Sequence, residues 1–197
     1  MIMCSFKNTF LIFPFILEFR ILGNIDIFMK WIMLLSFLFV GTVENDFAEP
    51  AIEQKKLMID SVNNIRSKGC YCGRRYMEPV QPIVWDGILY KSAFTQAKEM
   101  KDFNFFAHFS KDGLNIGERL QKAGYNWMVA GENLGEGQKT FEEVLNDWLK
   151  SYQHCTMLMH PRVEEMAVAK VDKYWVQHFG KKMPEKNKQQ NPISKKE

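Results

Sequence analysis

The stretch VEEMAVAKVDKYWVQHFG, Val163 to Gly180, decides the architecture. Successive side chains of a strand point to opposite faces. Val163, Glu165, Ala167, Ala169 and Val171 therefore share one side of an extended run, and Met166 and Val168 the other. Asp172 and Lys173 turn the chain into a second run, Tyr174 to Gly180, so the pair reads as an antiparallel hairpin. The patterns ahead of it are mainly helical. Helices first and the clearest strand pair last argue against a doubly wound parallel sheet, in which the two alternate. The expected class is α+β, with helices packed on a mostly antiparallel sheet.

Working outward from the hairpin, Thr140 caps a helix with Glu143 at the third position, and Phe141, Val144, Leu145 and Trp148 line its apolar face. Asn115 caps a shorter helix that stops at Gly124, again with an acid, Glu118, three residues on. Trp127 to Glu132 reads as a short strand, and Phe103 to Gly113 as a loop holding His108. Trp85 to Asp102 reads as a helix striped by Trp85, Leu89, Ala93, Ala97 and Met100. Cys70 to Ile83 reads as a loop with Pro79 and Pro82. Ala51 to Lys68 is a helix with Met58, Val62 and Ile65 on one face, stopped by Gly69. These stripes are core positions rather than a cofactor box.

The chain has 197 residues. Its start reads as export machinery: Lys30, then the apolar run Trp31 to Val43, then Glu44, Asn45, Asp46 and the small residue Ala48. Met29 fits as the initiator, because the apolar pattern upstream is broken by Pro14, Glu18 and Arg20. An uncleaved anchor is the rival reading, but this run falls short of the ~20 residues a spanning helix needs. The expected organisation is an upstream extension and signal peptide over 1–48, one domain over 49–180, and a disordered lysine-rich tail over 181–197. Residues 49–180 hold 17 basic and 17 acidic residues, so nothing suggests a nucleic-acid face. The exported part carries Cys70, Cys72 and Cys155. A bridge from Cys70 or Cys72 to Cys155 would close a loop of roughly 85 residues, worth about 4–5 kcal/mol in the loop-entropy account. The alternative is a metal site joining the Cys70/Cys72 pair to His154, a spacing unusual for zinc; the bridge is preferred.

One ordered set of residues carries a resemblance. Trp85-Asp86, Ala93 to Met100, His108 with Lys111-Asp112-Gly113, Arg119 and Gly124-Tyr125 come first. Gly131-Glu132-Asn133, Trp148, Ser151, His154, Pro161, Tyr174 to Gln177 and Phe179-Gly180 complete it. In this order and spacing the chain resembles the CAP superfamily of cysteine-rich secretory proteins, antigen 5 and pathogenesis-related 1, most of all its bacterial SCP-like extracellular branch. The resemblance covers roughly Ile52 to Gly180. It implies an α-β-α sandwich with a central cleft where two histidines and an acid meet. His108 matches the first histidine, Glu132 the acid and His154 the second histidine. Ser151 stands where eukaryotic members often carry a second acid. Ala107, Tyr152-Gln153, Met157 and Ala167 depart from the branch pattern; the bulky Tyr152-Gln153 turn bears on how His154 enters the cleft.

Two imidazoles and a carboxylate can ligate a divalent cation, with zinc the first candidate. They can instead hydrogen-bond one another, Glu132 fixing the tautomer of one imidazole and raising its pKa. The metal ligands expected are His108 and His154. Ser151, three residues from His154 at a helix end, reads as a local cap rather than a nucleophile. His160 and His178 have no match in the family and read as ordinary structural or surface histidines. The implied function is a secreted or periplasmic, monomeric binding module for a divalent cation or a small ligand, such as a lipid or a cell-envelope fragment. The alternative is a metal-dependent hydrolase of peptide or envelope substrates.

Overall fold

The computed structural model describes residues 48–184. The expectations for 1–47 and 185–197 fall outside the described residues. Eleven elements follow in order: α1 (Ile52–Lys68), β1 (Cys70–Cys72), β2 (Arg75–Met77), β3 (Val84–Trp85), α2 (Gly87–Phe103), α3 (Ile116–Ala123), β4 (Trp127–Glu136), α4 (Phe141–Lys150), α5 (Tyr152–Leu158), β5 (Glu165–Val171) and β6 (Tyr174–Lys182).

The hairpin forms as its alternation dictates. β5 and β6 pair antiparallel, with Val171 opposite Tyr174 and Asp172 in the left-handed region at the turn. β4 pairs antiparallel with the other side of β6, and the two-residue β3 adds parallel to β5, giving the sheet order β3-β5-β6-β4. The sheet is thus mostly antiparallel, with β4 at one edge.

Both faces of this sheet are covered, and the alternation divides the apolar residues into two cores. Met166, Val168, Trp175 and Phe179 pack with Val62, Phe141, Val144, Leu145, Trp148 and Leu158 of α1, α4 and α5. Ala167, Ala169, Tyr174 and Val176 pack on the opposite side with Leu89, Ala93, Ala97, Met100 and Leu120 of α2 and α3. The result is a three-layer α-β-α arrangement. Small alanines on both α2 and β5 let those backbones approach closely.

The helix ends obey local chemistry. Asn115 and Glu118 form a complete capping box at α3, and Gly124 ends it at φ 95°. Thr140 accepts from the Glu143 amide at the start of α4. At α2 the cap is Asp86, whose Oδ1 accepts from the Ile88 and Leu89 amides. Trp85 therefore belongs to β3, one residue before the cap, yet it packs against the same core as Leu89, Ala93, Ala97 and Met100.

Three further features differ from the expectation. Cys70 to Met77 is a small antiparallel hairpin, β1 with β2, rather than plain loop. β4 continues to Glu136, so Glu132 lies in mid-strand and not at a strand end before a turn. β6 reaches Lys182, so the first residues of the lysine-rich stretch are sheet.

Arg66, fully buried in α1, is a device that helix periodicity does not announce. Its guanidinium donates to the carbonyls of Gln81, Leu158 and His160, which ties α1 to the end of α5. Burial lowers its pKa to about 10, and carbonyl dipoles take the place of a counter-ion.

The bridge is Cys72 to Cys155, with Cα atoms 5.4 Å apart, and it holds α5 against β1. Cys70 keeps a free thiol. The rival metal site with His154 does not form. No helix among the described residues is long and apolar enough to cross a membrane.

Candidate functional site

The site grows from three consecutive residues of the edge strand. On β4, Gly131 and Asn133 face the α4/α5 layer, and Glu132 faces the α2/α3 layer. A β carbon on Gly131 would meet Met157 Sδ of α5 at 2.3 Å, so glycine lets that helix sit on the strand. Asn133 Nδ2 donates to the His154 carbonyl at 3.3 Å and to Gln177 Oε1 at 3.2 Å, fixing the turn of α5 that bears His154. Glu132 sends its carboxylate the other way, where its cross-strand partner is His178.

The Glu132 side chain is only 2% exposed, and three donors converge on it. His108 Nδ1 lies 2.7 Å from Oε1, His178 Nε2 lies 2.9 Å from Oε2, and Arg119 donates to Oε2 as well. Burial alone would push this carboxyl up. The hydrogen bonds from His108 and His178, with the charge of Arg119, outweigh it and hold the pKa at about 2. His178 is fully buried, and desolvation lowers its pKa, so it stays neutral and donates through Nε2.

The loop bearing His108 is clamped from both sides. Gln96 of α2 donates to the Ala107 carbonyl at 2.9 Å, and Arg119 of α3 donates to the His108 carbonyl at 2.6 Å. Both clamping residues are buried, while the His108 side chain is 58% exposed. The backbone is thus rigid beneath an accessible ring. The hydrogen bond to Glu132 raises the His108 pKa above the usual histidine value. It also commits Nδ1 to the carboxylate and leaves Nε2 free. His154 is half-buried on the far side of the same strand edge, and burial followed by the charge of His108 lowers its pKa.

So the structure brings Glu132 and His108 into direct contact, whereas His108, Glu132 and His154 do not offer ligand atoms mutually within 4.8 Å. Glu132 meets His108 as an orienting hydrogen-bond partner, with both oxygens occupied. Among the described residues, the one set of three metal-binding side chains with ligand atoms mutually within 4.8 Å is Cys70, Cys72 and Cys155. Ser151 ends α4 and begins α5, and its hydroxyl makes no capping bond, contrary to the local cap expected. Tyr152 lies over the hairpin turn, its ring 3.5 Å from where a Gly73 β carbon would stand. Tyr152 and Gln153 thus open α5, with the Tyr152 ring set against the β1–β2 turn.

Two contributors were missed. His178 reads in the sequence as an ordinary strand histidine, yet it is a direct partner of Glu132. Arg119 is part of the resemblance, but no site role was drawn for it. The available signal was placement. His178 shares a face with the apolar Val176 and Tyr174 on a strand buried on both faces, so its ring needs a polar partner inside. His160, whose Nδ1 accepts from the Arg162 amide, is the ordinary loop histidine expected. A separate cavity of about 250 Å³ lies between α2 and α3, lined by Ser92, Thr95, Leu114 and Arg119, and neither His108 nor His154 reaches it.

Comparison with known proteins identifies the family. Residues 59–179 match the cysteine-rich secretory protein family, CAP. The uncharacterized protein YkwD of Bacillus subtilis (strain 168) is 33% identical over 107 residues, covering 53% of this chain and 42% of that protein. An extracellular SCP-domain protein from Bacillus anthracis (strain Ames) superposes with TM-score 0.57 at 26% identity, over 68% of this chain and 45% of that one. An outer surface protein from Borrelia burgdorferi superposes with TM-score 0.58 at 19% identity, over 68% and 97%, a likeness of fold alone. The chain spans less than half the length of the curated relatives it matches.

Proposed function

Because the chain belongs to the cysteine-rich secretory protein family, CAP, we propose that it is an extracellular binding module whose two histidines, His108 and His154, take a divalent cation and through it a small ligand. The observation that carries this reading is the Glu132–His108 contact. A carboxylate on one imidazole nitrogen fixes the tautomer and makes the other nitrogen the ligand, an arrangement that recurs behind metal-bound histidines. The donor set suits zinc: two imidazoles, one oriented by a buried acid, with positions left open for water or ligand. When bound, the ion would supply Lewis acidity and a charge that an anionic ligand could share. Lipid headgroups and cell-envelope fragments carry such groups.

The extracellular placement is supported by the Bacillus anthracis structure, which is an extracellular SCP-domain protein. The hydrolase alternative has weaker support. Glu132 would have to act as general base, but a carboxylate held at about 2 with three donors on its oxygens is a poor proton acceptor.

The test is calorimetric zinc titration of oxidised protein, with Cys70→Ser as the background so that sulfur does not compete. His108→Ala and His154→Ala should each weaken binding at least tenfold while keeping the fold. Unchanged affinity in both variants removes the proposal. Only neutral imidazole ligates, so affinity should fall as pH drops through the His108 pKa, which lies above 6.5. Glu132→Gln should move that midpoint to lower pH, since the charge that stabilises the imidazolium is gone.

A further inference from the structure

Cys70 and Cys72 stand two residues apart on β1, so both side chains leave the same face of the strand. Cys155 of α5 meets them there. The free thiol of Cys70 lies 3.7 Å from Cys155 Sγ, and all three sulfurs lie within 4.8 Å of one another. A free thiol beside a bridge first suggests thiol–disulfide exchange, in which the attacking sulfur approaches along the line of the bond it breaks. An attacker aligned behind Cys155 would stand about 5.7 Å from Cys72 Sγ, given an S–S bond of ~2.05 Å. Cys70 is closer than that. It sits beside the bridge and not behind it, and burial raises its pKa and thins its thiolate.

Two edges of the sulfur triangle are non-bonded and the third is the Cys72–Cys155 bond itself, so the three sulfurs can surround a shared ion only once that bond is reduced. Thiolates at ~2.3 Å from a tetrahedral metal have sulfur–sulfur edges of about 3.8 Å, close to the 3.7 Å seen between Cys70 and Cys155. The surroundings narrow the choice. Met159 is fully buried in the same cluster as Cys72 and Cys155, and Met77 packs against it. No histidine or carboxylate among the described residues joins the three sulfurs. Thiolate and thioether donors without nitrogen or oxygen select soft ions, Cu(I) first among them, whereas zinc would need a fourth ligand in an apolar pocket.

We propose that, when the Cys72–Cys155 bridge is reduced, Cys70, Cys72 and Cys155 bind one soft thiophilic metal ion, with Cu(I) the preferred occupant. An external dithiol supplies the two electrons and two protons that convert the bridge to two thiols, and is itself oxidised to a disulfide. The coordinating thiols then release their protons to solvent as the ion binds. An external disulfide can take two electrons back from the Cys72 and Cys155 thiolates, becoming two thiols with protons from solvent; the bridge re-forms, two of the three donors are lost and the ion leaves, so the site exists in one redox state only. The buried members of the two apolar cores lie outside this cluster, so the layers should stay packed when the bridge is reduced. The site shares no residue with the histidine pair and does not rest on the function proposed for it.

The test uses the full chain in a Cys4→Ser background, reduced with excess dithiol and desalted without oxygen, and titrated with Cu(I) against a competing chromophoric chelator. Reduced wild type should take one Cu(I) per chain, at least tenfold tighter than reduced Cys70→Ser, and oxidised wild type none. Zinc should compete poorly. His108→Ala should bind Cu(I) as wild type does, which separates the two sites. X-ray absorption should show sulfur neighbours only. Equal affinity in wild type and Cys70→Ser, nitrogen ligation, or loss of the helical circular dichroism on reduction would each overturn the proposal. Cys70→Ser keeps the bridge when oxidised, so failure to fold does not obscure the comparison.

Discussion

At the scale of single residues, the decisive group is Glu132. A buried carboxylate is tolerated here because Arg119, His108 and His178 neutralise or solvate it from three directions. Removing one partner of such a group exposes the rest as orphans, which typically costs 3–5 kcal/mol. Glu132→Gln should therefore lower stability in urea by roughly that amount at neutral pH. The pH dependence has a definite sign. The folded pKa is about 2 against an ordinary 4.5, so the stabilisation is complete above 4.5 and lost as pH falls toward 2. By linkage it amounts to about 3 kcal/mol. Wild type should lose more stability than Glu132→Gln across that interval; parallel curves would show that the carboxylate is not the group responsible. The sequence exposed Glu132 and His108 because glycine and asparagine bracket the acid and the family spacing matches. It hid His178, because the Glu132–His178 pairing is a matter of register across 46 residues, which no local pattern encodes.

At the scale of elements, close approach sets how far each layer can move. Gly131 admits Met157, and Gly180 admits the ring of Tyr125, whose Oη would lie 2.3 Å from an added β carbon. The two glycines should differ in tolerance. Met157 is only partly buried and its thioether can swing aside, whereas Tyr125 is fully buried and its hydroxyl is bonded to Glu165. Gly180→Ala should cost about 1–3 kcal/mol by overpacking, and Gly131→Ala less than ~1. Thermal melts in the reverse order would mean that Met157, not Tyr125, is the rigidly seated side chain. Elements with strong caps were legible: Asn115 with Glu118 and Thr140 with Glu143 mark their helices within a residue. The hairpin of β1 and β2 was not, since three-residue strands offer too few positions for an alternation to show. The reach of β4 to Glu136 was hidden too, because glycines at 131, 135 and 137 read as turn chemistry while two of them serve packing.

At the scale of the whole molecule, the antiparallel sheet was legible because the final hairpin fixes it, while its cover by helices on both faces was legible only through the family resemblance. Which cysteine joins Cys155 was not, since Cys70 and Cys72 leave the same side of one strand and differ only in depth. The bridge has a mechanical consequence. It spans 83 residues, and that segment contains His108, Arg119, Glu132 and His154. If the chain is pulled from its two ends, tension crosses the sulfur–sulfur bond and bypasses the loop, so these four residues carry no load. At about 3.5 Å per residue, some 290 Å of chain stays out of reach of the force. Single-molecule stretching should show a contour length shorter by about that amount until a reductant is added, and an unchanged length would place the load-bearing link elsewhere. Held on a cell surface under shear, such a protein would keep His108, Glu132 and His154 on the shielded segment, while α1, β5 and β6, with His178, took the strain.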